Sequence, residues 1–225
     1  MSGRPCIAFK MNYCNGGKDS EHVGFNGTCE GEVIYYNAEE KKIPSCLTHK
    51  EFCMQYDLAR NFDDSFADLE NLENLNAEKF FCNESVVLRD WFVTAGKNFD
   101  GTPRKIKHAK ENHLCILTTQ RPNMPESDRI IFACFIIDKI FRGSDTESAC
   151  IFADKFYRLE FKPRELHLLK FWQIFENQIG FDKFKYFSDS DAVKFLQTVI
   201  KVKYGTEEEI FAQNFLTYYC KLNKL

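Results

Sequence analysis

From Ile130 to Ile137 every side chain is apolar, a run of strand length that demands cover on both faces. Extended by its flanks, the strand is expected over Arg129 to Phe141. Leu114 to Thr119 reads as a second strand. In Phe156 to Phe161, the apolar Tyr157, Leu159 and Phe161 alternate with Arg158, Glu160 and Lys162, the pattern of a strand with one wet face. Arg121-Pro122-Asn123-Met124-Pro125 and Arg142-Gly143-Ser144-Asp145 separate these strands as loops.

The period changes after Pro163. Leu166, Leu169, Trp172 and Phe175 are spaced for one helix face over Arg164 to Glu176, with the proline at its start. Ser188 with Asp191 and Thr206 with Glu209 resemble capping boxes, opening helices over Ala192 to Lys203 and Ile210 to Lys221. Gly205 is placed to end the first of these in a left-handed conformation. Upstream, Phe62, Phe66, Leu69, Leu72 and Leu75 recur every three or four residues among acids. Tyr56 to Phe81 therefore reads as an amphipathic connecting segment with a solvated acidic face. Glu32 to Tyr36 is expected as a short strand.

Composition narrows the class. With 44% hydrophobic and 15% aromatic residues, 23 of them Phe, the 225-residue chain folds rather than remaining disordered. A net charge of −3 argues against a binder whose whole surface is basic, but leaves room for a local basic groove. No stretch approaches the roughly 18 apolar residues of a membrane span, and Met1 to Lys10 lacks a signal-peptide core, so a cytoplasmic location is expected. There, cysteines are read as metal ligands or core fillers rather than disulfides.

Five of the ten cysteines fall in the first 53 residues. Cys14, Cys29, Cys46 and Cys53 are read as ligands of a structural Zn2+, with Cys6 and His49 as alternates, because the Gly- and Asn-rich Asn15 to Tyr36 has little apolar surface to fix its backbone. The gaps are long and contain no Cys-x-x-Cys, so small core thiols are the competing reading. Cys82, Cys115, Cys134, Cys150 and Cys220 lie mostly inside apolar runs and read as core.

Arg89-Asp90-Trp91-Phe92, Leu117-Thr118-Thr119-Gln120-Arg121 and Asp128-Arg129-Ile130-Ile131-Phe132-Ala133 resemble segments of a bacterial family that shares a cysteine-rich N-terminus and has no activity to carry over. More distantly, the element order over roughly residues 85 to 200 is similar to the PUA-like superfamily of EVE, YTH and ASCH domains. The fold that this implies is α+β. A small zinc-stabilised N-terminal module (1–56) and an acidic helical connector (57–84) precede a PUA-like β-barrel flanked by helices (85–225).

The resemblance further implies a modified or flipped base held in an aromatic pocket, with DNA or RNA as partner. Trp91 and Phe92 would form a wall of that pocket, and Thr118, Thr119 and Asp128 would read the base edge. Arg121 and Arg129 would hold phosphate, joined by the basic stretch Lys97, Arg104, Lys105, Lys107 and Lys110. The competing readings are core packing for Trp91, a surface ion pair for Asp128 and Arg129, and a solvated loop for the basic stretch.

Two alternatives differ in class. Glu160-Phe161-Lys162, with Asp138 upstream, resembles the local signature of metal-dependent PD-(D/E)xK nucleases. An acidic helix beside a Phe-rich surface would instead suit a protein partner. No catalytic triad and no complete phosphate-binding loop can be nominated. The reading favoured is recognition without chemistry of the protein's own.

Overall fold

The computed structural model describes residues 3–15, 29–61, 85, 87–98, 100–175 and 182–225. The expected acidic connector lies outside them beyond residue 61. The chain divides into two compact bodies, one of residues 1–11, 92–120 and 124–225, the other of residues 12–91 and 121–123. The boundary expected at residue 56 thus falls inside the second body, and the first eleven residues belong to the first. No helix among the described residues is long and apolar enough to cross a membrane.

The first body is built on one six-stranded, curled half-barrel sheet. Its strands are β1 (Cys6–Met11), β2 (Phe92–Thr94), β3 (Leu114–Thr119), β4 (Ile130–Phe141), β5 (Cys150–Glu160) and β6 (Phe184–Phe187), in the order β2-β5-β4-β3-β1-β6. Only the β1–β3 pair is parallel, and the other neighbours run antiparallel. Ile130 to Ile137 is buried at every position, as its unbroken apolar run requires. β4 becomes exposed only from Asp138. Register shifts in β3–β4 and β4–β5 mark bulges, which increase local twist and help a sheet to curl.

The expected strand over Phe156 to Phe161 is real but longer, because Cys150 to Ala153 continues the ladder against Phe141 to Ile137. The single helix expected over Arg164 to Glu176 is instead two short turns, α4 (Pro163–Leu166) and α5 (Phe171–Ile174). Between them the backbone is recruited by the start of β4. Ile131 N–H donates to Leu169 C=O, Phe171 N–H to Arg129 C=O, and Lys170 bridges to Ile130. Those bonds compete with the helical ladder and win locally.

α6 (Asp189–Lys203) starts three residues earlier than expected, but with the expected Ser188 as N-cap and a reciprocal box to Asp191. It ends before Gly205, at φ +72. α7 (Glu209–Asn223) starts one residue earlier than expected. The anticipated box is altered: Thr206 Oγ1 donates to Lys203 C=O and accepts from Glu208 N–H, while Glu209 accepts from Gly205 N–H.

In the second body, Glu32 to Tyr36 is helical rather than a strand. Helix α1 (Gly31–Tyr35) runs into a π-turn, Tyr36–Glu40. Val33, Ile34, Asn37 and Ala38 are the buried positions, two adjacent pairs four residues apart, whose neighbouring members a strand would turn to opposite faces. Asp57, in the following helix α2 (Pro44–Asn61), accepts the Gly31 N–H at 2.9 Å and so caps α1 from another element.

Candidate functional site

Strand β6 carries the sequence Phe184-Lys185-Tyr186-Phe187, and its two faces do different things. Phe184 packs on Phe9, its partner across the β1 ladder, with ring centroids 5.7 Å apart. Lys185 and Phe187 point to the opposite side, where Phe187 meets Phe175 at 5.0 Å and Phe175 stacks on Phe171 at 4.8 Å. This aromatic floor holds Lys185 at the wall of a pocket of about 270 Å³ lined also by Arg4, Lys194, Asp191, Ile174 and Tyr186.

Three cations thus surround one carboxylate, and Asp191 is already engaged as the capping-box acceptor of Ser188. Burial lowers the Lys185 pKa, and the positive charge of Arg4 lowers it further, with only partial relief from Asp191. Cations crowded until one disfavours the charge of another form a natural seat for an anion. Lys185 Nζ also lies 5.0 Å over the ring of Trp172.

Trp172 connects the pocket to a polar network inside the same body. Its indole N–H donates to Glu126 at 3.4 Å, and Lys10 pairs with the same carboxylate at 3.3 Å. Arg129, 1% exposed, binds Glu126 through two nitrogens at 2.6 and 2.8 Å, with longer contacts to Thr118 and Gln120. Lys170 pairs with Asp128. Burial alone would raise the Glu126 pKa, but the bonds and charges of Arg129 and Lys10 hold this carboxyl below its ordinary range.

Of the residues expected to form a base pocket, Thr118 and Thr119 are fully buried. Their hydroxyls donate to the β1 carbonyls of Phe9 and Met11. That side-chain rung between parallel strands commits them to the sheet. Phe92 stacks on Phe152, its partner in the β2–β5 ladder, at 5.9 Å. Trp91 belongs to the second body, where its N–H bonds to Val87 C=O and its φ of +51 closes the short helix α3 (Val87–Asp90).

The expected phosphate ligands separate. Arg104 and Lys105 pair with Asp182 and Asp145, whereas Lys97, Lys107 and Lys110 are exposed. Arg129 is consumed by Glu126. Arg121 lies in the second body, where its charge reaches the buried Tyr13 phenol. Burial raises the Tyr13 pKa above its ordinary value.

The alternative catalytic set is spread out. Glu160 pairs with Ala133, five residues from Asp138 along β4, roughly 16 Å at strand rise. Lys162 precedes α4 as its N-cap and lies 3.8 Å from Glu208.

Cys14, Cys29 and Cys53 are buried and Cys46 is half-buried, all in the second body. Of the alternates, His49 bonds to Ser45 C=O within its helix and Cys6 lies in β1. The described residues bring together a different metal-capable group, Cys6, His113 and Asp189.

Sequence reasoning passed over Arg4, Lys185 and Lys194. The signal present was the interleaving of Lys183 and Lys185 with Phe184, Tyr186 and Phe187, a basic and aromatic alternation of the kind that single-stranded nucleic acid uses. Arg4 and Lys194 join it only in three dimensions. No family model, curated protein or solved structure matches the chain.

Proposed function

We propose that this protein binds nucleic acid as a reader without chemistry of its own, and that Arg4, Lys185 and Lys194 take the backbone phosphates. The observation carrying the reading is the pocket in which these three cations face a single, already engaged carboxylate. Phosphate contacts of this sort position a strand, while flat apolar side chains and buried polar groups read bases. Trp172, beneath Lys185, supplies a ring next to the phosphate seat. The separation of Asp138 from Glu160 favours binding over metal-dependent cleavage. In the second body, the reading retains a structural zinc at Cys14, Cys29, Cys46 and Cys53, consistent with the burial of three of these thiols.

Fluorescence anisotropy with labelled single-stranded RNA and DNA tests the proposal. Three neutralised phosphates on a single strand give a slope of log K against log salt of about −2, or a loss of roughly 15- to 20-fold between about 50 and 200 mM salt. Replacing Lys185 and Lys194 by Ala should weaken binding at least tenfold and bring the slope close to −0.7. Absence of binding to either polymer at low salt, or affinity indifferent to the double substitution, rules out this site.

A further inference from the structure

Cys6 at the start of β1, His113 just before β3, Asp189 in the first turn of α6 and Tyr219 on α7 meet at one point in the first body. The thiol lies 3.5 Å from Asp189 Oδ1 and 3.2 Å from the Tyr219 hydroxyl, and His113 Nδ1 lies 2.8 Å from the same Oδ1. Tyr219 donates to that oxygen as well. Three donors therefore converge on one carboxylate oxygen, which has two lone pairs to offer.

We infer that Cys6, His113 and Asp189 form a site for a divalent transition-metal ion of the zinc class, with the Tyr219 hydroxyl at the fourth corner. The donor set of one sulfur, one imidazole nitrogen and oxygen suits a borderline ion in tetrahedral geometry. Bonds of about 2.0–2.3 Å place neighbouring ligand atoms roughly 3.3–3.6 Å apart in a tetrahedron. The Cys6 to Asp189 spacing already meets this, and the ligand atoms of the three residues all lie within 4.8 Å of one another. The His113 to Asp189 contact has to open by about 0.6 Å and the Tyr219 to Asp189 contact by about 0.8 Å.

Binding forms metal–sulfur, metal–nitrogen and metal–oxygen bonds and breaks the Cys6 S–H bond, releasing that proton to solvent. An entry path exists, because the His113 and Asp189 side chains are 16% and 23% exposed while Cys6 lies beneath them at 0%. A cysteine held this way is not a catalytic nucleophile. Asp189, rather than the imidazole, is its carboxylate-side partner, and burial pushes its thiol up to about 12.

Titration with Co2+ tests the assignment, since thiolate ligation produces a charge-transfer band in the near ultraviolet. In a Cys29→Ser background, which removes a ligand of the structural zinc proposed for the second body, the protein should show this band and release about one proton per bound ion at neutral pH. In that background His113→Ala and Cys6→Ser should each weaken binding at least tenfold with an unchanged circular dichroism spectrum. If Cys6→Ser fails to fold, the half-buried His113→Ala decides. Absence of the band in the Cys29→Ser protein, or undiminished affinity when a folding-competent His113→Ala or Cys6→Ser is added to it, overturns the site.

Discussion

Lys203 is fully buried, yet it carries a full set of contacts: Glu165 and Glu208 each accept from its ammonium at 2.7 Å, and it lies 5.3 Å over the Phe161 ring. Glu165 is itself 3% exposed. Lys203→Met would leave that carboxylate buried without its cation, at a cost of about 3–5 kcal/mol. Glu165→Gln keeps an acceptor for Lys162 N–H, so the double variant should recover most of the loss in a urea-denaturation cycle. A double variant as unstable as Lys203→Met alone would contradict this pairing. Glu126 provides a pH test. Its folded pKa lies below the ordinary 4.5, so its stabilisation is complete above that value and lost as pH falls through the folded pKa. The urea midpoint of Glu126→Gln should consequently depend less on pH than the parent's between about pH 5 and 3.

Elements were legible where one local rule governed them. β3 and the buried run of β4 follow from apolar patterning, and α6 follows from its cap. The pattern failed where distant backbone or side chains intervened. Leu169 to Phe171 keep a helical spacing but bond to Arg129 and Ile131, which no local window contains. Glu32 to Tyr36 carries β-branched residues, but its helix buries Val33, Ile34 and Ala38 and receives a cap from Asp57. The turn between β4 and β5 is constrained more tightly than its polar sequence suggests. Gly143 has φ +87, and a Cβ there would meet Ala149 N at 2.9 Å, with Arg104 O and Glu147 O at 3.2 Å. Gly143→Ala should therefore destabilise the fold by about 1–3 kcal/mol, read as a lower urea midpoint. An unchanged midpoint would mean that the turn relaxes freely.

At the scale of the molecule, the sheet's α+β class was foreseeable, but one of its interior strands was not. Cys6 to Met11 was assigned to a cysteine-bearing module, whereas β1 lies between β3 and β6. The candidate site was equally divided in visibility. Arg129 and Thr118 were singled out and do meet, but as a buried network that also requires Glu126. The anion seat draws Arg4, Lys185 and Lys194 from three separated segments, so no spacing in the chain announces it. Charges gather by topology here, whereas apolar runs reveal themselves one element at a time.

The position of β1 also sets a timetable for folding. Phe9 and Thr118 are 109 residues apart, and Cys6 and Asp189 are 183 apart. During synthesis the strand emerges long before either neighbour that covers it, as a short apolar segment with open edges. Its parallel pairing bears the full entropy of closing that loop before any contact rewards it. This interior strand is thus among the last parts of the sheet to be completed, and β6 and α6 act as the closing pieces for a strand synthesised well before them.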